Sequence, residues 1–279
     1  MKPKIAIGLT TYLDISLPEF GVKLFNAYHM ASAKIVPTKV NVWGRAYDVA
    51  TASEFSRHWA TNAQSRLVED RGKGRLIEKS DFLIGCEWRH VGQPTGEGRV
   101  DFRPLDDLAR SNTILIDHSF ASRVDWSLLF QKLVEIFQPS YGMLHLFTAH
   151  EIDSLAVRSE RFENFDRAFG GEEYFVSWRT NSGDWRKPDK WQLDERRQYR
   201  YLPELSWANF LGREFTGQYD KKFLSEHAAN PRIMQNGLYF ETTGNLSDVA
   251  NDYQAYVQSR RILKSAFRPD FFRRQNPSY

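Results

Sequence analysis

The chain has 279 residues and a mass of 32.6 kDa, enough to bury a substantial core as one large domain or two small ones. Its 41% hydrophobic and 26% charged residues, with only 17 Gly and 11 Pro, exclude a disordered, collagen-like or fibrous chain. A single cysteine, Cys86, excludes an intrachain disulfide and leaves a cysteine-based zinc site short of ligands, while the net charge of +3 is too small for a phosphate-tracking face.

Residues 4–12 are a short apolar run and read as a strand. Lys2 and Lys4 ahead of that run imitate a secretory signal, but Asp14, Glu19, Lys23 and His29 interrupt it. With no membrane span and no targeting segment in view, the expected location is the cytoplasm. Pro18 suits the first turn of a helix to about Ala33, with Phe20, Leu24, Ala27, Tyr28 and Ala31 on one stripe and Pro37 as its stop. Residues 39–50 are a further strand candidate, and a helix is expected from about Ser53 to Glu69. Asp70 to Arg75 reads as a turn. Residues 81–90 and 112–118 read as strands, joined by the Gly- and Pro-containing stretch Gly92 to Pro104.

The periodicity is clearest over 123–137, where Trp126, Leu129, Phe130, Leu133 and Phe137 share one helical stripe before Pro139. Ser122 with Asp125 resembles a capping box. A strand follows at 141–148, then a charged helix from about Asp153 to Phe169 and a strand at 173–179. A polar loop, 180–196, separates these from a short helical segment near Leu205 to Leu211 and a helix over Asp220 to His227. A strand at Gly237 to Thr242 and a long helix from Leu246 to Phe267 complete the chain. The order points to an α+β fold, a mostly antiparallel or mixed sheet covered by helices, as a single domain over 1–279 with a sub-boundary in 180–196.

No P-loop, dinucleotide fingerprint, zincin motif or nucleophile elbow is present, and no cofactor is expected. Asp117 and His118 stand at the end of an apolar strand, where catalytic groups often sit, with His145, His150 and Glu151 further on. Imidazole and carboxylate suit a metal, so a metal-dependent hydrolase using Asp117, His118, His145 and His150 is one alternative. A second alternative uses the basic C-terminus. Residues 257–279 carry six cations against Asp270, which leaves residues 1–256 at −2. Arg260, Arg261, Lys264 and Arg268 share part of one helical face and could meet phosphate, although a solvated helix face is the simpler expectation. In the loop 180–196, Asp184, Trp185, Arg186 and Trp191 have the composition of an interface hot spot.

From Tyr201 to Phe215 the chain reads Y-L-P-E-L-S-W-A-N-F-L-G-R-E-F. This segment resembles a signature of bacterial immunity proteins, the immunity-protein-52 family and related type VI secretion immunity proteins. The matching positions are Pro203, Leu205, Trp207, Asn209, Phe210, Leu211, Gly212, Glu214 and Phe215, and Gly237 to Thr243 looks like the family's C-terminal strand. The resemblance implies a non-enzymatic protein that binds and neutralises a cognate toxin, typically one with a restriction-endonuclease-like nuclease domain. It brings no catalytic residue. Read physically, Leu205, Trp207, Phe210, Leu211 and Phe215 supply apolar bulk, Asn209 can bond backbone and Gly212 allows a tight close, as in a packing element. The expected partner is therefore a toxin, and neither membrane nor nucleic acid.

Overall fold

The computed structural model describes residues 3–71, 74–103, 111–148, 204–268 and 271–272, and over 65–80 it describes the backbone. Its centre is a ten-stranded sheet in which every adjacent pair is antiparallel. In chain order the strands are β1 (Lys4–Thr11), β2 (Lys39–Val42), β3 (Arg45–Asp48), β4 (Ala60–Arg71), β5 (Gly74–Gly85), β6 (Glu87–His90), β7 (Gly96–Asp101), β8 (Asn112–Ser119), β9 (Tyr141–Phe147), β10 (Ala208–Gly212), β11 (Ala229–Met234) and β12 (Gly237–Glu241). The described helices are α1 (Pro18–Ala31), α2 (Ala52–Ser56), α3 (Trp126–Phe137), α4 (Lys221–His227), α5 (Asp248–Asn251) and α6 (Tyr253–Lys264). Across the sheet the order is β11-β12-β10-β9-β1-β8-β7-β6-β2-β3, while β4 and β5 form a separate ribbon. The fold is α+β.

The centre of the sheet is apolar on both faces, which is why β1 and β9 lack the alternation of a half-exposed strand. On one face Ile5, Ile7 and Leu9 meet Leu24, Tyr28, Leu129, Phe130 and Leu133 of α1 and α3. On the other, Tyr141, Met143 and Phe147 join Leu211, Phe240, Leu263, Phe267 and Phe271 in a second core. The helices that build the first layer start and stop where local chemistry dictates. Pro18 opens α1, and Asp125 caps α3 by accepting a bond from Leu128 N at 2.9 Å. Gln138 ends α3 in the left-handed region at φ 42°.

Several expectations change. The strand expected at 81–90 divides at Cys86 between β5 of the ribbon and β6 of the large sheet, and the connection Gly92 to Pro104 contains β7, because its pairing partners β6 and β8 lie outside any local window. The helix foreseen from Ser53 to Glu69 is only α2, held by a Thr51–Glu54 capping box, before the chain turns into β4. Trp59 closes it, buried with its indole Nε1 donating to Ile15 O at 2.6 Å. Residues 39–50 form a hairpin of two strands, β2 and β3. The segment near Leu205 to Leu211 is strand β10, and the long C-terminal helix is interrupted at Asp252, which caps α6. The expected helix at 153–169, the strand at 173–179 and the loop 180–196 lie outside the described residues. Among the described residues, no helix is long and apolar enough to cross a membrane.

Candidate functional site

Adjacent residues of a strand point to opposite faces, and this separates the residues grouped as a possible metal or catalytic cluster. His118 sits on the helix-covered face, with its ring centroid 5.8 Å from that of Tyr28 and 5.4 Å from that of Trp126. Burial, with His90 nearby, pulls its pKa down to about 3, so the imidazole is neutral. Asp117 pairs in register with Ala6 and Glu97 on the other face. His145 shares that second face but is fully buried, accepting a bond at Nδ1 from Trp207 N at 3.1 Å and meeting Phe147 edge-on. His150 and Glu151 are outside the described residues. Among the described residues, no group of three His, Cys, Asp or Glu side chains is placed to hold a metal ion. Cys86 is buried in the first core, its thiol pushed up to about 12 by burial.

The basic C-terminal helix is divided: Arg261 and Arg268 are exposed, as a solvated face requires, whereas Arg260 and Lys264 turn inward. Arg260 is 2% exposed and stacks over Tyr256 at 4.9 Å. Lys264 pairs with buried Glu204 at 3.0 Å and lies over Phe272. The guanidinium of Arg268 stands 5.8 Å from the Phe271 ring. Lys264 thereby ties the helix to Glu204 and Phe272 beside the second core, while Arg260 packs on Tyr256 of the first.

The signature segment lies at the junction of the two cores. Leu205, Trp207, Phe210 and Leu211 are each 1% exposed or less. Asn209 ties the entry to β10: its amide nitrogen donates to Ser206 O at 2.8 Å, and its oxygen accepts from Ser206 N at 3.0 Å. The Trp207 indole donates to Thr243 Oγ1 at 3.1 Å. A Cβ at Gly212 would crowd Ser140 O and Pro139 O, so the close approach to the end of β9 needs glycine there. Pro203 lies outside the described residues, as do Asp184, Trp185, Arg186 and Trp191.

One surface that sequence reasoning passed over is the open half of the sheet. Beyond β8, the face turned away from α1 and α3 bears Asp117 on β8, Glu97, Arg99 and Asp101 on β7, and Glu87 and Arg89 on β6. Lys39 and Asn41 continue it onto β2. Opposite charges face each other across strands, with Arg89 3.6 Å from Glu97 and Asn41 donating to Glu87 at 3.3 Å. Arg99 also lies 3.2 Å from Asp101 on its own strand. Together with Leu115, residues Glu87, Arg89, Glu97, Arg99 and Asp117 line an open depression of about 160 Å³. The signal was the strict alternation in G-E-G-R-V-D (Gly96 to Asp101), obscured because two of its inward residues are glycines. Those glycines are required by their neighbours. A Cβ at Gly96 would overlap the His118 ring, and one at Gly98 would overlap the Trp88 indole. Small inward residues under large rings keep the strand close while its outward side stays charged. Such a face holds fixed charges of both signs.

No protein-family model and no curated protein matches the chain. Among solved structures it is similar to the Pseudomonas aeruginosa T6SS protein PA0821, with a TM-score of 0.52 and 10% sequence identity over 97% of this chain and 76% of that one. The likeness is one of fold. The similarity of Tyr201–Phe215 to immunity proteins accordingly rests on those residues alone.

Proposed function

We propose that this protein is an immunity protein of a type VI secretion context. It binds a secreted toxin, a nuclease, and neutralises it in the cytoplasm by forming a tight complex, without catalysis of its own. The observation that carries the reading is the fold likeness to a T6SS protein across 97% of the chain. The signature Leu205 to Phe215 points in the same direction. Two features of the geometry agree with a binding role. Of the described residues of the hydrolase alternative, His118 lies on the opposite face of the sheet from Asp117 and His145, and both histidines are buried. This face carries four carboxylates, Glu87, Glu97, Asp101 and Asp117, against Arg89, Arg99 and Lys39, a mixed-charge surface that a partner of complementary charge pattern could engage. Co-expression with the product of the adjacent gene tests the proposal. The expected result is a complex that co-elutes through size exclusion and a host protected from DNA or RNA degradation. Two proteins that elute separately, with no protection, would overturn it.

A further inference from the structure

The two outer strands of the ten-stranded sheet are treated differently. At one edge, β11 has Pro231, a register shift between Ala229 and Arg232, and Asn230 at φ 48°. A proline and a bulge are the usual devices that stop an edge from pairing with another chain. At the other edge, β3 has neither. It runs in unbroken register with β2 from Arg45 to Asp48, and all four residues are exposed. The β2–β3 connection is the two-residue turn Trp43-Gly44, with φ 50° and 78°. That turn makes Val42 and Arg45 a hydrogen-bonded pair, and the alternation of an antiparallel ladder then turns the peptide groups of Ala46 and Asp48 away from β2.

On this edge Asp48 pairs with Lys39 at 3.5 Å, while Trp43 and Arg45 are turned to solvent. Trp43 is held left-handed at a position where Asn or Gly is favoured, and its indole is 73% exposed. The Arg45 side chain makes no ion pair or hydrogen bond with any described residue. Tyr47 is 38% exposed and is backed on one side by His58, stacked at 4.1 Å, which fixes its ring.

We propose that β3 is a self-association edge, on which a second copy of this chain pairs antiparallel about a two-fold axis at Ala46 and continues the sheet across the dimer. An isologous contact requires each residue to meet the partner of its own partner. With Ala46 opposite Ala46, Arg45 of each copy falls opposite Tyr47 of the other, and both lie on the helix side of the sheet. A cation and an aromatic ring two residues apart on one edge are therefore self-complementary in this register. The small Ala46 at the axis lets the two backbones approach. Trp43, at the end of each edge, covers the end of the other copy's strand. This inference is independent of the toxin reading, because it concerns only the chain itself.

Sedimentation velocity of the purified chain, from sub-micromolar to hundreds of micromolar, tests it. The expected result is a concentration-dependent monomer–dimer equilibrium. Ala46→Pro removes an outward N–H and should abolish the dimer, and Arg45→Glu should weaken it at least about tenfold. Circular dichroism and thermal melting should show both variants folded like the parent. Ile233→Lys, on the opposite edge, should dimerise as the parent does. A chain that stays monomeric at every concentration overturns the proposal, and leaves β3 as an edge for some other polypeptide. A dimer unaffected by both β3 variants, or dissolved by Ile233→Lys, overturns it equally.

Discussion

His118 shows how one residue can look catalytic in sequence and be structural in space. Its ring nitrogens are buried with no hydrogen-bond partner among the described residues, and burial holds the pKa down to about 3. The unfolded chain takes up the proton near pH 6.5, while the folded chain refuses it until about pH 3. Below pH 6.5 the unfolded state therefore binds more protons, and stability falls as the pH is lowered towards 3. The contribution is about 1.4 kcal/mol per pH unit within that window. Urea unfolding at several pH values, compared with His118→Leu, should show the parent losing stability more steeply on acidification. Parallel slopes would mean that the ring is protonated inside the fold.

Gly96 is the other half of the same contact, since any Cβ there would overlap the His118 ring. Gly96→Ala should cost about 1–3 kcal/mol through overpacking. The double variant Gly96→Ala with His118→Ala should recover part of that cost, a coupling measurable in a double-mutant cycle. Additive costs would show that the two positions do not press on one another.

Among the elements, β10 and the β4–β5 ribbon show where periodicity misleads. Trp207, Phe210 and Leu211 fall at helical spacing, yet β10 lies between β9 and β12 and is buried on both faces. A short apolar run buried on both sides has no period by which strand and helix can be told apart. Trp207 borders that run and fills the junction of the cores, so Trp207→Ala should lower stability by about 3–5 kcal/mol. A melting temperature matching the parent, together with lost partner binding, would make it an interface residue instead. In β4 the error has a different source. Its ladder partner is β5, from Ala60 opposite Gly85 to Arg71 opposite Gly74, so the strand depends on pairing that a local window does not contain. The polar turn expected between Asp70 and Arg75 coincides with the end of that ribbon.

At the scale of the whole molecule, the sheet is divided between a half packed on both faces and a half with one charged, open face. The toxin reading assigns partner contact to the open half. Glu97, 59% exposed at its side chain, is the probe of choice. Glu97→Arg should lower stability by no more than about 1 kcal/mol, because it replaces an exposed pair with Arg89 by a second cation directly opposite it. Against the toxin it should weaken affinity by about tenfold or more, through like-charge contact. Calorimetric titration alongside thermal melting separates the two effects, and unchanged affinity would move the contact off this face.

The α+β class, the helices α1 and α3 and the strands β1, β8, β9 and β12 were legible in the sequence. Their signals are local: a proline at a helix start, an apolar stripe, a short β-rich run. The packing character of Leu205, Trp207 and Phe210 could also be read, because bulk and apolarity belong to the residues themselves. Only the tertiary structure decided that Asp117 and His118 part company across the sheet, and that Arg260 and Lys264 turn inward. It also decided that Gly96 and Gly98 leave room for His118 and Trp88, and that β11 and β3 end the sheet. Strand order, register and the face a residue occupies depend on partners distant in sequence. No periodicity within one segment encodes them.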